Sequence, residues 1–220
     1  MVIILGECTG TTARKMEALG WGRMWIARGR NIYTYPGEPW GFDNGAFRDW
    51  RAGIAFDETA YMKSLEKAEA NAEPPYLAVL PDIPAQGLQS LDYSMGWLGR
   101  LPDFNWYLAV QDGMSTTDVS ADGLSGIFLG GTNSYKSTAA EWCKWAHAHG
   151  LKFHYGRAGT QSKVAQAQYI GADSLDSAFP MWTKQRFNDF TRWIMFGADQ
   201  SDLFMNEVAP QLEAGDAEGD

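Results

Sequence analysis

The chain is poor in the residues that build disulfide frameworks and metal clusters. Among its 220 residues there are only two cysteines, Cys8 and Cys143, and three histidines, His147, His149 and His154. A disulfide-stapled scaffold is therefore excluded, and so is a Cys-rich zinc knuckle. Nor is there an apolar run near the roughly 18 residues that a membrane-spanning helix needs. The opening MVIILGECTG lacks the basic stretch of a secretion signal, so the expected setting is a reduced, cytoplasmic one. No Ser-His-Asp or Cys-His arrangement stands out. GECTGTTARK does not follow the GxxxxGK(S/T) pattern, so triphosphate binding gets little support.

Basic charge is also scarce. The net charge is −9, which argues against a nucleic-acid partner at first sight. The balance is uneven, however. Residues 207–220 hold five acidic residues and no lysine or arginine, and read as an acidic, disordered tail behind a single domain over 1–206. Between Arg14 and Arg51 there are seven basic residues against Glu17, Glu38, Asp43 and Asp49. A local basic face and scattered solvated charges are equally compatible with that count.

What the chain has in quantity is apolar and aromatic residues: 45% hydrophobic, with ten Trp, nine Tyr and eleven Phe. Short apolar runs at 2–5, 24–27, 40–44, 76–81, 106–111, 126–130, 152–155 and 172–176 alternate with helical stretches. The helical stretches are 12–19, 57–71, 88–98, 137–149, 162–170 and 183–196. Asp57 is placed to cap the second of them. No helix is expected between 27 and 40. Eight buried strands with helical crossovers predict a compact α/β fold, a single-domain (β/α)8 TIM barrel without a zinc subdomain. A doubly wound open sheet is the alternative.

Acids, amides and glycines recur where the apolar runs finish: Asp43-Asn-Gly-Ala-Phe47, Pro81-Asp82, Gln111-Asp112-Gly113, Gly130-Gly131-Thr132, His154-Tyr155-Gly156-Arg157 and Asp173-Ser-Leu-Asp176. In a barrel these positions converge on one mouth. Taken singly, an Asp after a strand is most often a turn former or helix cap. Two carboxylates facing one substrate are also the equipment for cleaving a glycosidic bond, and Asp43 and Asp176 are candidates for that pair. Cys143 and His147 share a helix face while His149 turns away, which reads as an ordinary helix rather than a metal site.

The ordered series FDNGAF, LPDIP, LAVQDG, FLGGT, FHYGRAGT and GADSLDSAFP resembles the tRNA-guanine transglycosylases over about residues 40–180. Lacking their zinc module, the chain is most similar to the small zinc-free phage enzymes that place 7-deazaguanine bases in DNA. The resemblance implies a TIM-barrel pentosyltransferase that exchanges guanine for a preQ0-type base by double displacement, without a cofactor or metal, acting in the cytoplasm of a phage-infected bacterium. By position it would make Asp176 the nucleophile and Asp43 the general acid/base. Asp82, Gln111, Gly130 and Gly131 would bind the base, which Phe47 and Tyr155 would sandwich. The target base would flip out of DNA, with tRNA the less favoured partner. Arg157, Arg23, Arg28, Arg30 and Arg48 would be the candidate phosphate contacts. A TIM-barrel glycosidase and a non-catalytic base-binding protein are the other readings. Asp173, three residues before Asp176, should face away from it and serve structure.

Overall fold

A computed structural model describes residues 1–29 and 32–196. Eight parallel strands close on themselves in chain order, β1 pairing with both β2 and β8. They are β1 (Val2–Gly6), β2 (Gly22–Ile26), β3 (Gly41–Asp43), β4 (Leu77–Val79), β5 (Trp106–Val110), β6 (Gly126–Leu129), β7 (Lys152–Tyr155) and β8 (Ser174–Ser177). The fold is a (β/α)8 TIM barrel, as the run of apolar segments predicts.

Helices α1 (Gly10–Ala18), α2 (Ala46–Ala52), α3 (Glu58–Glu69), α4 (Leu88–Met95), α5 (Ala139–Ala148), α6 (Gln161–Tyr169) and α7 (Lys184–Phe196) surround the strands. Asp57 caps α3 by accepting from Ala60 N, and Thr160 caps α6 by accepting from Lys163 N. Each bond satisfies one of the amide donors that a helix start leaves open. Helix α2 was not expected. It is one of two helices between β3 and β4.

Two apolar shells hold the barrel. The outer one lies between strands and helices, and most of the aromatic surplus goes there: Trp40, Trp97 and Trp142 are fully buried. Burying each such side chain stabilises the fold by roughly 2–3 kcal/mol. The inner shell is small: Ile4, Met24, Leu77, Val79, Tyr107 and Ala109. It fits together because inward positions on neighbouring strands are glycines. A Cβ on Gly126 would lie 2.3 Å from the Tyr107 ring, and one on Gly41 would lie 2.6 Å from Met24 Sδ. Among the described residues no helix is long and apolar enough to cross a membrane.

Candidate active site

The strand ends that carry polar residues do converge. A cavity of about 440 Å³ opens at the mouth, lined among others by Asp43, Asp82, Asp176, Gln111, Arg157 and Phe128. Asn44, Phe47, Trp50, Gly130 and Gly131 also line it.

At the end of β3 the chain turns sharply into α2. Gly45 sits at φ +78°, a conformation that suits glycine, and donates its N–H to Asp43 Oδ1 at 2.6 Å. Asn44 accepts from Ala46 N at 2.7 Å and so closes the turn that leads into α2. Its amide nitrogen donates to Leu80 O at 2.6 Å and to Asp82 Oδ1 at 2.9 Å. One asparagine therefore ties the end of β3 to the end of β4 and sets the distance between two carboxyls.

Those carboxyls resist ionisation. Burial pushes Asp82 up to about 7, helped by the charge of Asp43, while the Asn44 bond works the other way. Burial also raises Asp43, the Gly45 N–H opposes it, and the charge of Asp176 adds to it. Loss of hydration is the common cause, because a low-dielectric wall disfavours the charged form.

The loop after β4 is held from β5. Gln111 accepts from Ala85 N at 2.6 Å and donates to Ile83 O at 3.0 Å. Both ends of its amide are engaged with backbone, so Gln111 positions the Asp82 loop. Asp112 accepts from Thr132 N and Oγ1 at 2.8 and 2.6 Å. Partial burial opposes ionisation of Asp112, but the Thr132 bonds outweigh it and hold the carboxyl below its ordinary range. Gly131, at φ +72°, lets β6 turn there; a Cβ would come within 2.6 Å of the Tyr135 ring and 2.7 Å of Asp112.

From β7 and β8 come His154, Arg157 and Asp176. Asp176 Oδ1 receives two bonds, from Arg157 N at 2.9 Å and from His154 Nε2 at 3.0 Å. Arg157 adopts φ +55°, uncommon for a residue with a side chain. Its guanidinium donates to Gly131 O and lies 4.9 Å over the Phe47 ring. Phe47 in turn stacks on Trp50, centroids 5.7 Å apart, both exposed at the rim.

Several expected placements differ. Tyr155 does not line the cavity. It is fully buried on the outer side of β7, its hydroxyl donating to Gln166 Oε1 at 2.8 Å. The inward ring is instead Phe128, two residues before Gly130, so no Phe47–Tyr155 sandwich forms. The arginines between 14 and 51 are largely engaged internally. Arg23 is buried against Glu38 at 2.6 Å, and Arg28 pairs with Asp49. Arg48 donates to Ala27 O at 3.0 Å. Arg30 lies outside the described residues, as do residues 197–220 and therefore the acidic tail. Asp173 sits at the start of β8, away from the cavity, accepting from Phe153 N at 2.8 Å beside His147 Nε2 at 2.9 Å. No group of three or more candidate metal ligands occurs among the described residues.

Two neighbours of the site escaped the sequence reading. Asn44 was quoted only as part of a motif, though an amide one residue past a strand end is a recurrent bridge. Lys136, in the turn before α5, is buried, with Nζ 3.1 Å from Leu129 O and 2.6 Å from Gly156 O. Burial lowers it to about 7. It binds the ends of β6 and β7 together and does not line the cavity.

No protein-family model matches the chain, and no curated protein does. Solved structures do match, in fold. The chain shares its barrel with dihydrodipicolinate synthase. A monomeric variant of that enzyme aligns with a TM-score of 0.56 and 12% identity, over 100% of this chain and 83% of the other. A second dihydrodipicolinate synthase aligns at 0.46 and 10%, over 100% and 74%. At such identities the likeness establishes the architecture alone.

The transglycosylase resemblance is corrected by these findings. The neighbour in fold at a TM-score of 0.56 carries the name of a different enzyme, no family model supports the motif series, and the base sandwich is missing. The pentosyltransferase assignment is withdrawn, and with it the exchange of guanine for a 7-deazaguanine in DNA and the tRNA variant. The six motifs are short, and each places an acid, an amide or a glycine after an apolar run. The glycosidase and base-binding alternatives retain from this only a barrel with carboxyls facing a cavity.

Proposed function

We propose that the protein is an enzyme of acid–base chemistry on a small carbonyl compound, of the lyase type. In this reading Asp176 takes a proton from the carbon beside the carbonyl, and a neutral Asp82 or Asp43 supports the oxygen as negative charge develops there. The observation that carries the reading is the convergence of three carboxyls on one cavity, two of them held toward the neutral form. Neighbouring carboxyls in environments that separate their proton affinities are the recurring arrangement for paired acid and base roles. Arg157 at the cavity edge suits a substrate with an anionic group, such as a 2-oxo acid.

The name of the neighbours in fold is compatible with a carbon–carbon lyase or synthase, but not through a lysine imine. Among the described residues no lysine lines the cavity, and the buried amine of Lys136 is turned to two carbonyl oxygens behind β6 and β7. The reading uses side chains alone and assigns no cofactor. The two free cysteines, Cys8 and Cys143, support a reducing compartment such as the cytoplasm.

The test is proton exchange. The protein is incubated in D2O with a panel of 2-oxo acids, 3-oxo acids and hydroxyketones, and C–H loss or bond cleavage is followed by NMR. We expect exchange with at least one compound, reduced about 100-fold or more in Asp176→Asn. No exchange across the panel, or an undiminished Asp176→Asn rate, would end this reading.

A further inference from the structure

His154 faces the inside of the barrel and is wholly buried, with 0% of its surface exposed. The inner shell around it is mostly apolar: Ile4, Met24, Leu77, Val79 and Ala109. A buried imidazole in such surroundings needs partners for both nitrogens. It has them. Nδ1 lies 2.8 Å from Ser174 Oγ and Nε2 lies 3.0 Å from Asp176 Oδ1. The ring stacks on Phe128 at 4.5 Å between centroids, which fixes its plane. Tyr76, half-buried, packs beside the inner shell. A polar thread thus runs from Ser174 through His154 to the cavity.

The geometry around Asp176 is one-sided. His154 and the Arg157 amide both bond to Oδ1. A donor order that satisfies every group runs one way along the thread. Ser174 O–H donates to Nδ1, and Nε2–H donates to Oδ1. The imidazole then carries a proton on Nε2 and accepts at Nδ1.

We propose that His154 is a positioning residue: held as the Nε2–H tautomer by Ser174, it pins Oδ1 of Asp176 and presents Oδ2 to the cavity as the oxygen that meets the ligand. The functional half of this inference rests on the reading of Asp176 as the proton acceptor. The tautomer half does not. The arrangement follows the general logic by which a group behind a reactive residue fixes its orientation without touching substrate.

Two measurements test it. In protein labelled with 15N-histidine, long-range proton–nitrogen spectra resolve the tautomer of each of the three histidines, and His154→Gln identifies the His154 signals. The expected result is protonated Nε2, bare Nδ1 and a slowly exchanging Nε2–H. Asp176→Ala should speed that exchange by about ten-fold or more, the effect of losing one hydrogen bond. Ser174→Ala should turn the single tautomer into a mixture, and it decides the matter should Asp176→Ala fail to fold. His154 in the Nδ1–H form, or exchange and tautomer indifferent to both substitutions, would overturn the proposal.

The second measurement uses the proton-exchange reaction. His154→Leu should lower kcat about ten-fold or more with KM nearly unchanged, and His154→Gln, which retains an N–H donor, should restore most of the loss. Equal losses in the two variants would overturn the positioning role. A wild-type protein that exchanges nothing would instead refute the proposed reaction, and the spectra would still decide the tautomer.

Discussion

Asp82 offers the most direct check on the electrostatics of the cavity. Its carboxyl rises from 3.8 to about 7 on folding, chiefly through burial, while the Asn44 amide donates to its Oδ1. A raised carboxyl keeps its proton in the folded state after the unfolded chain has released it. Between these values the unfolded state binds fewer protons, so stability falls as pH rises. The contribution is fully present below about pH 4 and is lost by the time pH passes 7. At about 1.4 kcal/mol per tenfold, the whole window corresponds to roughly 4 kcal/mol. Asp82 faces the cavity on one side, where water screens it, so about 2 kcal/mol is the expected size.

Asp82→Asn removes the titration but leaves an acceptor for Asn44. Asp43, also raised by burial, stays in both proteins and largely cancels in the comparison. Urea unfolding of the wild type and the variant at pH 4.5, 6.0 and 7.5 gives the difference directly. The variant should gain on the wild type by about 2 kcal/mol across this range. A difference constant to within about 0.5 kcal/mol would show that Asp82 ionises freely in the folded protein, and the neutral-carboxyl part of the mechanism would fall with it.

Lys136 makes the opposite prediction. Burial lowers it from 10.5 to about 7, so wild-type stability should climb between pH 7.5 and 9.5, and Lys136→Met should abolish that climb. Gly126→Ala should destabilise by about 3 kcal/mol in thermal or urea unfolding, because its methyl would meet the Tyr107 ring at 2.3 Å; retained stability would mean the ring moves freely. Tyr107→Phe should be neutral or stabilising by about 1 kcal/mol, since the Tyr107 hydroxyl is buried with no hydrogen-bond partner among the described residues. Gln111→Leu frees the amide of Ala85 and the carbonyl of Ile83, and should cost about 2 kcal/mol while raising hydrogen exchange in residues 83–85.

The barrel was legible because parallel strands, covered on both faces, must be apolar throughout, and such runs stand out in a sequence. All eight were found, though β8 begins at Ser174 rather than at 172 and β3 spans only Gly41–Asp43. Helix α2 was hidden for a local reason. Its start is set by Gly45 and the Asn44 side chain, and it exposes Phe47 and Trp50, so it lacks the amphipathic stripe that marks a helix. The inward phase of β7 was misjudged. In Lys-Phe-His-Tyr, alternation allows either His154 or Tyr155 to face the barrel axis, and the transglycosylase resemblance placed Tyr155 there as a wall of the base pocket. The β7–β8 register decides otherwise by setting His154 opposite Ser174. The Arg23–Glu38 pair joins residues fifteen apart across an irregular connection, which no local pattern reveals.

The same register explains how the barrel supports acids at its mouth. Gly41 and Gly126 leave room on the axis for two large side chains, Met24 and Tyr107. Those fill the lower part and leave the upper part open as the cavity. Acids placed above such a filling lose hydration on the side that faces it, which raises Asp43 and Asp82. Asp176 stands in the same ring of strand ends, but the thread from Ser174 through His154 supplies from below the hydrogen bonding that an apolar filling cannot, and the Arg157 amide adds a second bond from β7. The surroundings of these carboxyls thus differ one layer beneath each: apolar side chains under β3 and β4, an imidazole under β8.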